Sequence, residues 1–391
     1  MLNQFIHNTH ESNLLFYFCL LILLSIITQF ITTIKQPAIL GQLLIGCIVA
    51  IFAHYQINFF LNLIHDQTLA FLAELGSIFL LFEIGLESQL SELLHLGKHA
   101  LIVALTGVII PFILGYFILA NLISTNTNTM FNLFLGSIFA VTSTGVSVAV
   151  FKNMGMIRHK AAQIVLAASI FDDIIGLILL SIISGLSASV AIHTFHIYTI
   201  LADIGLFFSL CFSMGIIIYY IQNSRLIREF ANKYNIRNLS LVGYGLFFAW
   251  LAQIMGLAVI IGAFIAGLLV RDNSHSNAHF VNHLSRIFAP IFFIYAGMQV
   301  DIIAALDLTT LKLTVVFSIF AILSKCICGI FLPKTLHSSR WLVGFGMVPR
   351  GEIGIIFALS GREFHLINNN TFTALLLMII ITSLITPSIL G

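Results

Sequence analysis

Ala167-Ala168-Ser169-Ile170-Phe171-Asp172-Asp173-Ile174-Ile175-Gly176 sets two adjacent carboxylates in the middle of an apolar run that extends over about 159–186. A helix rising about 1.5 Å per residue crosses a bilayer with about 20 mainly apolar residues, and this run is long enough. A charge at the bilayer centre costs about 2.5–3.5 kcal/mol on insertion scales, so two aspartates there mark a working site. Neighbouring residues on a helix point about 100° apart, so one aspartate can face a partner helix while the other faces a cavity. Side by side in a low dielectric they cannot both hold their charge cheaply, which brings proton binding into competition with cation binding.

The rest of the chain has the same character. Of 391 residues 59% are apolar and 8% charged, against roughly 25% charged in an average soluble domain. So few charges cannot solvate a water-exposed surface, and the expected class is an all-α polytopic membrane protein in a lipid bilayer. A net charge of +2, with no basic run interleaved with aromatics, gives no reason to expect nucleic acid as a partner. Cys19, Cys47, Cys211, Cys326 and Cys328 all fall in apolar stretches and read as small buried hydrophobes, not as a zinc site. No cofactor is expected. Met1 to Ser12 carries no Lys or Arg, and the apolar run behind it is too long for a signal-peptide core.

Thirteen candidate spans lie near 13–34, 37–54, 68–87, 98–122, 129–151, 159–186, 198–222, 238–255, 257–271, 286–302, 312–332, 340–361 and 370–390. Alternate loops hold Lys35, Lys98, Lys152, Arg158, Lys160, Arg225, Arg228, Lys233, Arg237, Arg271, Arg286, Lys334 and Arg340, whereas the opposite loops hold only Lys312 and Arg362. By the positive-inside rule the N-terminus is outside and the C-terminus cytoplasmic. With nothing resembling a C-terminal nucleotide-binding domain behind the last span, 1–391 is expected to be a single transmembrane domain.

Few other charges fall within spans. Lys325 lies near the middle of the eleventh, Arg350 and Glu352 lie in the twelfth, Glu83 and Glu87 close the third, and Asp203 is in the seventh. An Asp–Lys pair that forms and breaks would be a proton-coupled switch; the plainer reading is a static ion pair that fixes helix packing. The fifth span contains Ala140-Val141-Thr142-Ser143-Thr144-Gly145-Val146-Ser147, and the twelfth contains Gly344, Gly346, Pro349, Gly351 and Gly354 around its charges. Proline removes a backbone donor and glycine loosens the chain, so both spans are candidates for unwinding, although Ser, Thr and Gly also pack membrane helices without any break. Paired interrupted spans in the two halves point to inverted repeats, here spans four to six and eleven to thirteen, with two discontinuous helices crossing at mid-membrane.

These pieces together resemble the monovalent cation:proton antiporter-2 family. The resemblance rests on Gln36 to Gly46, Leu72-Ala73-Glu74-Leu75-Gly76, Ile84-Gly85-Leu86-Glu87, the Thr-Ser-Thr-Gly cluster, the Asp-Asp pair, Ile261 to Leu268, Ala289 to Phe293 with Gly297-Met298, and Pro349-Arg350-Gly351-Glu352. It implies a homodimer in which core helices (about 98–186 and 312–390) move against a dimerisation panel (about 13–87 and 238–302), joined by a linker helix (about 198–222). It further implies electrogenic exchange of a monovalent cation, Na⁺ first, for H⁺ across a bacterial cytoplasmic membrane. By position, Asp173 matches the cation-binding carboxylate and the site for the metal ion. Asp172 matches the partner of the core lysine, here Lys325. Thr142, Ser143 and Thr144 match the unwound crossing, and Arg350 and Glu352 match structural charges of the second broken helix. Glu83 departs from the pattern, which leads one to expect an apolar or small residue there. A K⁺/H⁺ exchanger of the potassium-efflux type and a gated cation channel are the alternative readings. An intramembrane hydrolase would draw its aspartates from two facing helices rather than from one. His275, His279 and His283, in the loop before the tenth span, are spaced for one helix face and read as solvated interfacial groups.

Overall fold

The computed structural model describes residues 17–28, 38–55, 57–64, 66–87, 97–123, 129–143, 147, 151, 156, 159–191, 205–207, 209–211, 213–215, 217, 237–255, 257–270, 275–332 and 340–390. They are helical apart from short connections and two interruptions. In chain order the helices are α1 Tyr17–Thr28, α2 Ala38–His54, α3 Asn58–Ile64, α4 Gln67–Glu87, α5 Gly97–Leu114, α6 Thr129–Ala140, α7 Lys160–Ala191, α8 Arg237–Ile254, α9 Val259–Leu269, α10 His275–Met298, α11 Ile302–Leu306, α12 Leu308–Cys326, α13 Arg340–Gly346, α14 Glu352–Glu363 and α15 Asn369–Leu390. Five of these stretches are long and apolar enough to cross a membrane: 67–86, 100–119, 160–187, 308–331 and 369–386.

As their glycine, proline and hydroxyl residues suggest, the fifth span is helical only to Ala140, after which 141–143 leave the helix, and the twelfth is split into α13 and α14 around 347–351. Other elements differ from the sequence expectation. α10 begins at His275, so the three histidines belong to a helix and not to a loop. Its first turns are amphipathic, with Val281 and Ser285 buried and His283 exposed, and a hydropathy ruler does not register such a start. α3 was not anticipated. Thr144 lies outside the described residues, as does Asp203.

The chain divides into two compact units. Unit 1 comprises Met1–Ala70, Ser91–Leu179 and Phe293–Gly391. Within it α12 turns Leu311, Val315, Val316, Ile319 and Leu323 outward, a face that only lipid can solvate, and buries Thr310, Thr314, Phe317, Ser318, Ala321, Ser324 and Lys325. α12 packs along α15, and α5 along α6. A buried apolar cluster of Val103, Ala104, Phe151, Val165, Cys328, Leu332, Val343 and Met347 fills the space between α5, α7, α13 and the 3₁₀ turn Ile327–Phe331.

Unit 2 comprises Phe71–Leu90 and Leu180–Phe292. Lipid tails are as apolar as leucine, so its helices associate by close contact rather than by the hydrophobic effect. Glycine makes this possible. A Cβ on Gly262 would run into the carbonyl of Phe248, one on Gly85 into that of Phe264, one on Gly267 into that of Phe82, and one on Gly76 into that of Phe288. Phe79 and Phe288 then meet with ring centroids 5.5 Å apart, and Asn282 donates to the Glu83 carboxylate.

Candidate functional site

Both interruptions lie in unit 1 and are bonded to each other. The amide of Ser143 donates to the carbonyl of Pro349 at 2.9 Å. The hydroxyl of Ser147 donates to the carbonyl of Gly346 at 2.8 Å, with the Ser143 carbonyl at 2.9 Å. Thus the backbone groups released where α6 and α13 end are taken up across the gap, as a dry interior requires.

The charged side chains fasten the same junction. Arg350 is 1% exposed, and its Nη1 donates to the carbonyl of Val141, with that of Ile138 also in reach at 3.4 Å. Those are end carbonyls of α6, which have no helical donor of their own. Ser383 of α15 donates to the carbonyl of Arg350 and holds the second interruption from behind. Glu352 opens α14, where a carboxylate suits the positive end of the helix dipole, and it accepts the Ser143 hydroxyl at 2.7 Å. Arg350 and Glu352 therefore each reach from the second interruption to the first.

Asp172 and Asp173 sit on α7 beside this junction, 0% and 1% exposed. Lys325, from the last turn of α12 and also 0% exposed, places Nζ 2.6 Å from Asp172 Oδ2. Thr142 donates its hydroxyl to the same oxygen at 2.8 Å, with the Met347 carbonyl a weaker acceptor at 3.3 Å. One carboxylate oxygen thus ties α7, α12 and the first interruption together. Ser169, one turn before Asp172, donates to the Val165 carbonyl at 2.9 Å and lies 3.8 Å from the Met347 sulfur.

Of the residues singled out from sequence, Thr142, Ser143, Asp172, Lys325, Arg350 and Glu352 are joined in one bonded network. Asp173, next to Asp172 on α7, is buried as well. Ser147, Ser383 and Met347 belong to the network without having been chosen; Ser147 stood in the quoted hydroxyl cluster, while Ser383 had no signal beyond a hydroxyl inside an apolar helix. Glu83 lies apart, in unit 2. Chemically the network is acidic oxygen, hydroxyl and carbonyl, a donor set that suits a hard cation or a proton. No group of three His, Cys, Asp or Glu side chains able to hold a transition metal occurs among the described residues.

The family described as sodium/hydrogen exchanger, transmembrane, matches residues 18–391. The high-affinity Na⁺/H⁺ antiporter NhaS3 of Synechocystis is 30% identical over 333 residues, 82% of this chain and 70% of that protein. The Na⁺/H⁺-K⁺ antiporter GerN of Bacillus cereus is 30% identical over 367 residues, 91% of this chain and 89% of that one. Among solved structures, the sodium proton antiporter MjNhaP1 of Methanocaldococcus jannaschii superposes with a TM-score of 0.68 at 17% identity, covering 96% of this chain and 95% of that one.

Proposed function

The chain belongs to the transmembrane sodium/hydrogen exchanger family, and from that premise we propose that it exchanges Na⁺ for H⁺ electrogenically, with Asp173 binding cation and proton in turn. It is an integral membrane protein and a secondary transporter of monovalent cations and protons, not an enzyme. The observation that carries the finer reading is the charge held inside the junction. Three carboxylates, Asp172, Asp173 and Glu352, and two basic groups, Lys325 and Arg350, are all at most 3% exposed. When all five are ionised one negative charge remains, which the proton or the cation on Asp173 cancels; loss of the Lys325 proton as well leaves the cation-loaded site one charge more negative, and that is the charge the cycle carries. Breaking a buried pair without such compensation costs about 3–5 kcal/mol, so the site strongly favours one or the other occupant.

Exchange then runs as competition. The arriving cation displaces the proton of Asp173; the Lys325–Asp172 pair gives up its proton in turn, and Asp172 joins the cation's oxygen shell with Thr142, Ser143 and Thr144. Two protons leave for one cation, so the cycle moves net charge. Arg350 and Glu352 hold the two interruptions in register throughout. The bond between Ser143 and Pro349 supports two discontinuous helices that cross at mid-membrane within a thirteen-helix inverted-repeat fold. The basic loops support an outside N-terminus and a cytoplasmic C-terminus. The protein works as a homodimer in a bacterial cytoplasmic membrane, its core (about 98–186 and 312–390) moving against a panel (about 13–87 and 238–302) through a linker (about 198–222).

K⁺ in place of Na⁺ is the second reading, favoured by the name of GerN, a relative at 30% identity. One assay tests both. In proteoliposomes, pH change driven by Na⁺, Li⁺ or K⁺ is followed across pH, with the concentration for half-maximal exchange rising as pH falls because protons compete for Asp173. Asp173→Asn is expected to lower exchange by at least about a hundredfold. Exchange at the wild-type rate in that variant removes Asp173 from the mechanism, and an identical response to membrane potential in Lys325→Ala removes the electrogenic step.

A further inference from the structure

Beside the Lys325–Asp172 pair the wall of the site is bare backbone. α5 turns Leu101, Leu105 and Ile109 outward and buries Ala100, Ala104, Gly107 and Pro111. A Cβ on Gly107 would lie 3.6 Å from Lys325 Nζ, 3.7 Å from Met347 Cε and 3.8 Å from the Cβ of Cys328. These are ordinary contacts, so alanine fits with no neighbour moving. Gly115, further along the same stretch, is different: its Cβ would come within 3.0 Å of the Gly136 backbone. Packing therefore demands glycine at 115 and not at 107, although glycine inside a helix costs about 0.5–1 kcal/mol relative to alanine.

Three further observations say what the methyl-sized space is for. Pro111 has no N–H to give to the carbonyl of Gly107 four residues earlier, so that carbonyl lacks its regular helical donor. Lys325 has three N–H groups, and its acceptor among the described residues is Asp172 Oδ2 alone. Asp172 Oδ1 is buried with no hydrogen-bond partner among the described residues. Two acceptors without their regular donors and an ammonium with N–H groups to spare thus belong to residues at or beside this contact, and a buried water makes about three hydrogen bonds.

We propose that Gly107 keeps open a site for one water molecule that relays the proton between Lys325 and Asp172. The water accepts from Lys325 Nζ and donates to the Gly107 carbonyl and to Asp172 Oδ1. In the transfer an N–H bond of Lys325 breaks as an O–H bond to the water forms, and an O–H bond of the water breaks as one to Asp172 Oδ1 forms. The ion pair becomes a neutral amine and a carboxylic acid, with no charge created. Neutral partners separate without the cost of pulling apart buried ions, and the proton leaves from Asp172 when the cation arrives. This inference rests on the reading that the pair handles the second proton.

The test compares wild type, Gly107→Ala, Gly107→Ser and Lys325→Ala in proteoliposomes, measuring maximal exchange rate and half-saturating cation concentration across pH. Gly107→Ala fills the space and is expected to slow maximal exchange about tenfold with half-saturation within about twofold. Gly107→Ser puts a hydroxyl where the water sat and is expected to recover to within about threefold of wild type. A Gly107→Ala protein with the wild-type rate and pH profile overturns the water site, as does Gly107→Ser exchanging as slowly as Gly107→Ala. So does failure of Gly107→Ala to yield folded protein, because the space is then needed for packing. If instead Lys325→Ala matches wild type in rate and voltage response, the role given to the ion pair falls, whatever the Gly107 variants do.

Discussion

Unit 2 and the junction in unit 1 solve the problem of joining helices in lipid by opposite means. In unit 2 the joints are glycine against carbonyl, as at Gly262 and Phe248, where nothing larger than hydrogen fits. At the junction the joints are polar: a lysine, an arginine, three carboxylates and hydroxyls, with Ser143 alone reaching Pro349 through its amide and Glu352 through its side chain. Steric joints are tight in one arrangement only, whereas bonds among charges and hydroxyls can be exchanged when a proton or cation arrives. The comparison teaches that rigidity and responsiveness are assigned to different chemistry in different parts of one chain.

The largest test of that contrast lies on the steric side. Gly262→Val places a branched side chain against the Phe248 carbonyl and is expected to cost about 3 kcal/mol or more, read as loss of folded protein in size exclusion and a lowered melting temperature. A variant as stable as wild type would break the comparison. Arg350→Gln comes next. It strips the guanidinium from the carbonyls of Val141 and Ile138, for about 1–3 kcal/mol of stability. It also makes the ionised junction more negative by one charge, so exchange is expected to fall, with its pH profile displaced toward protonation at higher pH. A lowered melting temperature with an unmoved pH profile would reduce Arg350 to a helix cap. The smallest effect is expected at Glu83→Gln, which keeps an acceptor for Asn282 and changes stability by less than about 0.5 kcal/mol. A shifted pH profile there would carry the responsive chemistry into unit 2.

Much of this was legible in the sequence because bilayers impose coarse rules. Apolar length gives away helices such as α2, α4 and α7, and the Thr-Ser-Thr-Gly and Pro-Arg-Gly-Glu runs sit where the fifth and twelfth spans are interrupted. What escaped depends on long-range bonds. That Arg350, more than two hundred residues away, holds the carbonyls where α6 stops is a pairing that no local propensity encodes. The part played by Ser383 is equally invisible, since a serine in an apolar helix looks the same whether it bonds within its own helix or across a gap. Arg362 falls one residue past the expected end of the twelfth span and so counts there as a loop residue. It closes α14 instead, donating to the carbonyl and the side chain of Gln299 and lying 4.9 Å from the centre of the Phe372 ring, so its charge is spread over two neighbours. The histidines of α10 escaped because a polar helix start carries no apolar run.

The apolar cluster around Val103, Phe151, Val343 and Met347 also bears on the cell's energy economy. A membrane that stores energy as a proton gradient is discharged by any continuous file of water, because protons hop along such a file far faster than a carrier can turn over. Packed aliphatic and aromatic side chains beside the Lys325–Asp172 pair interrupt that file. They act as electrical insulation, and a polar side chain introduced among them would be felt first as a short circuit, a drain on the gradient independent of any cation.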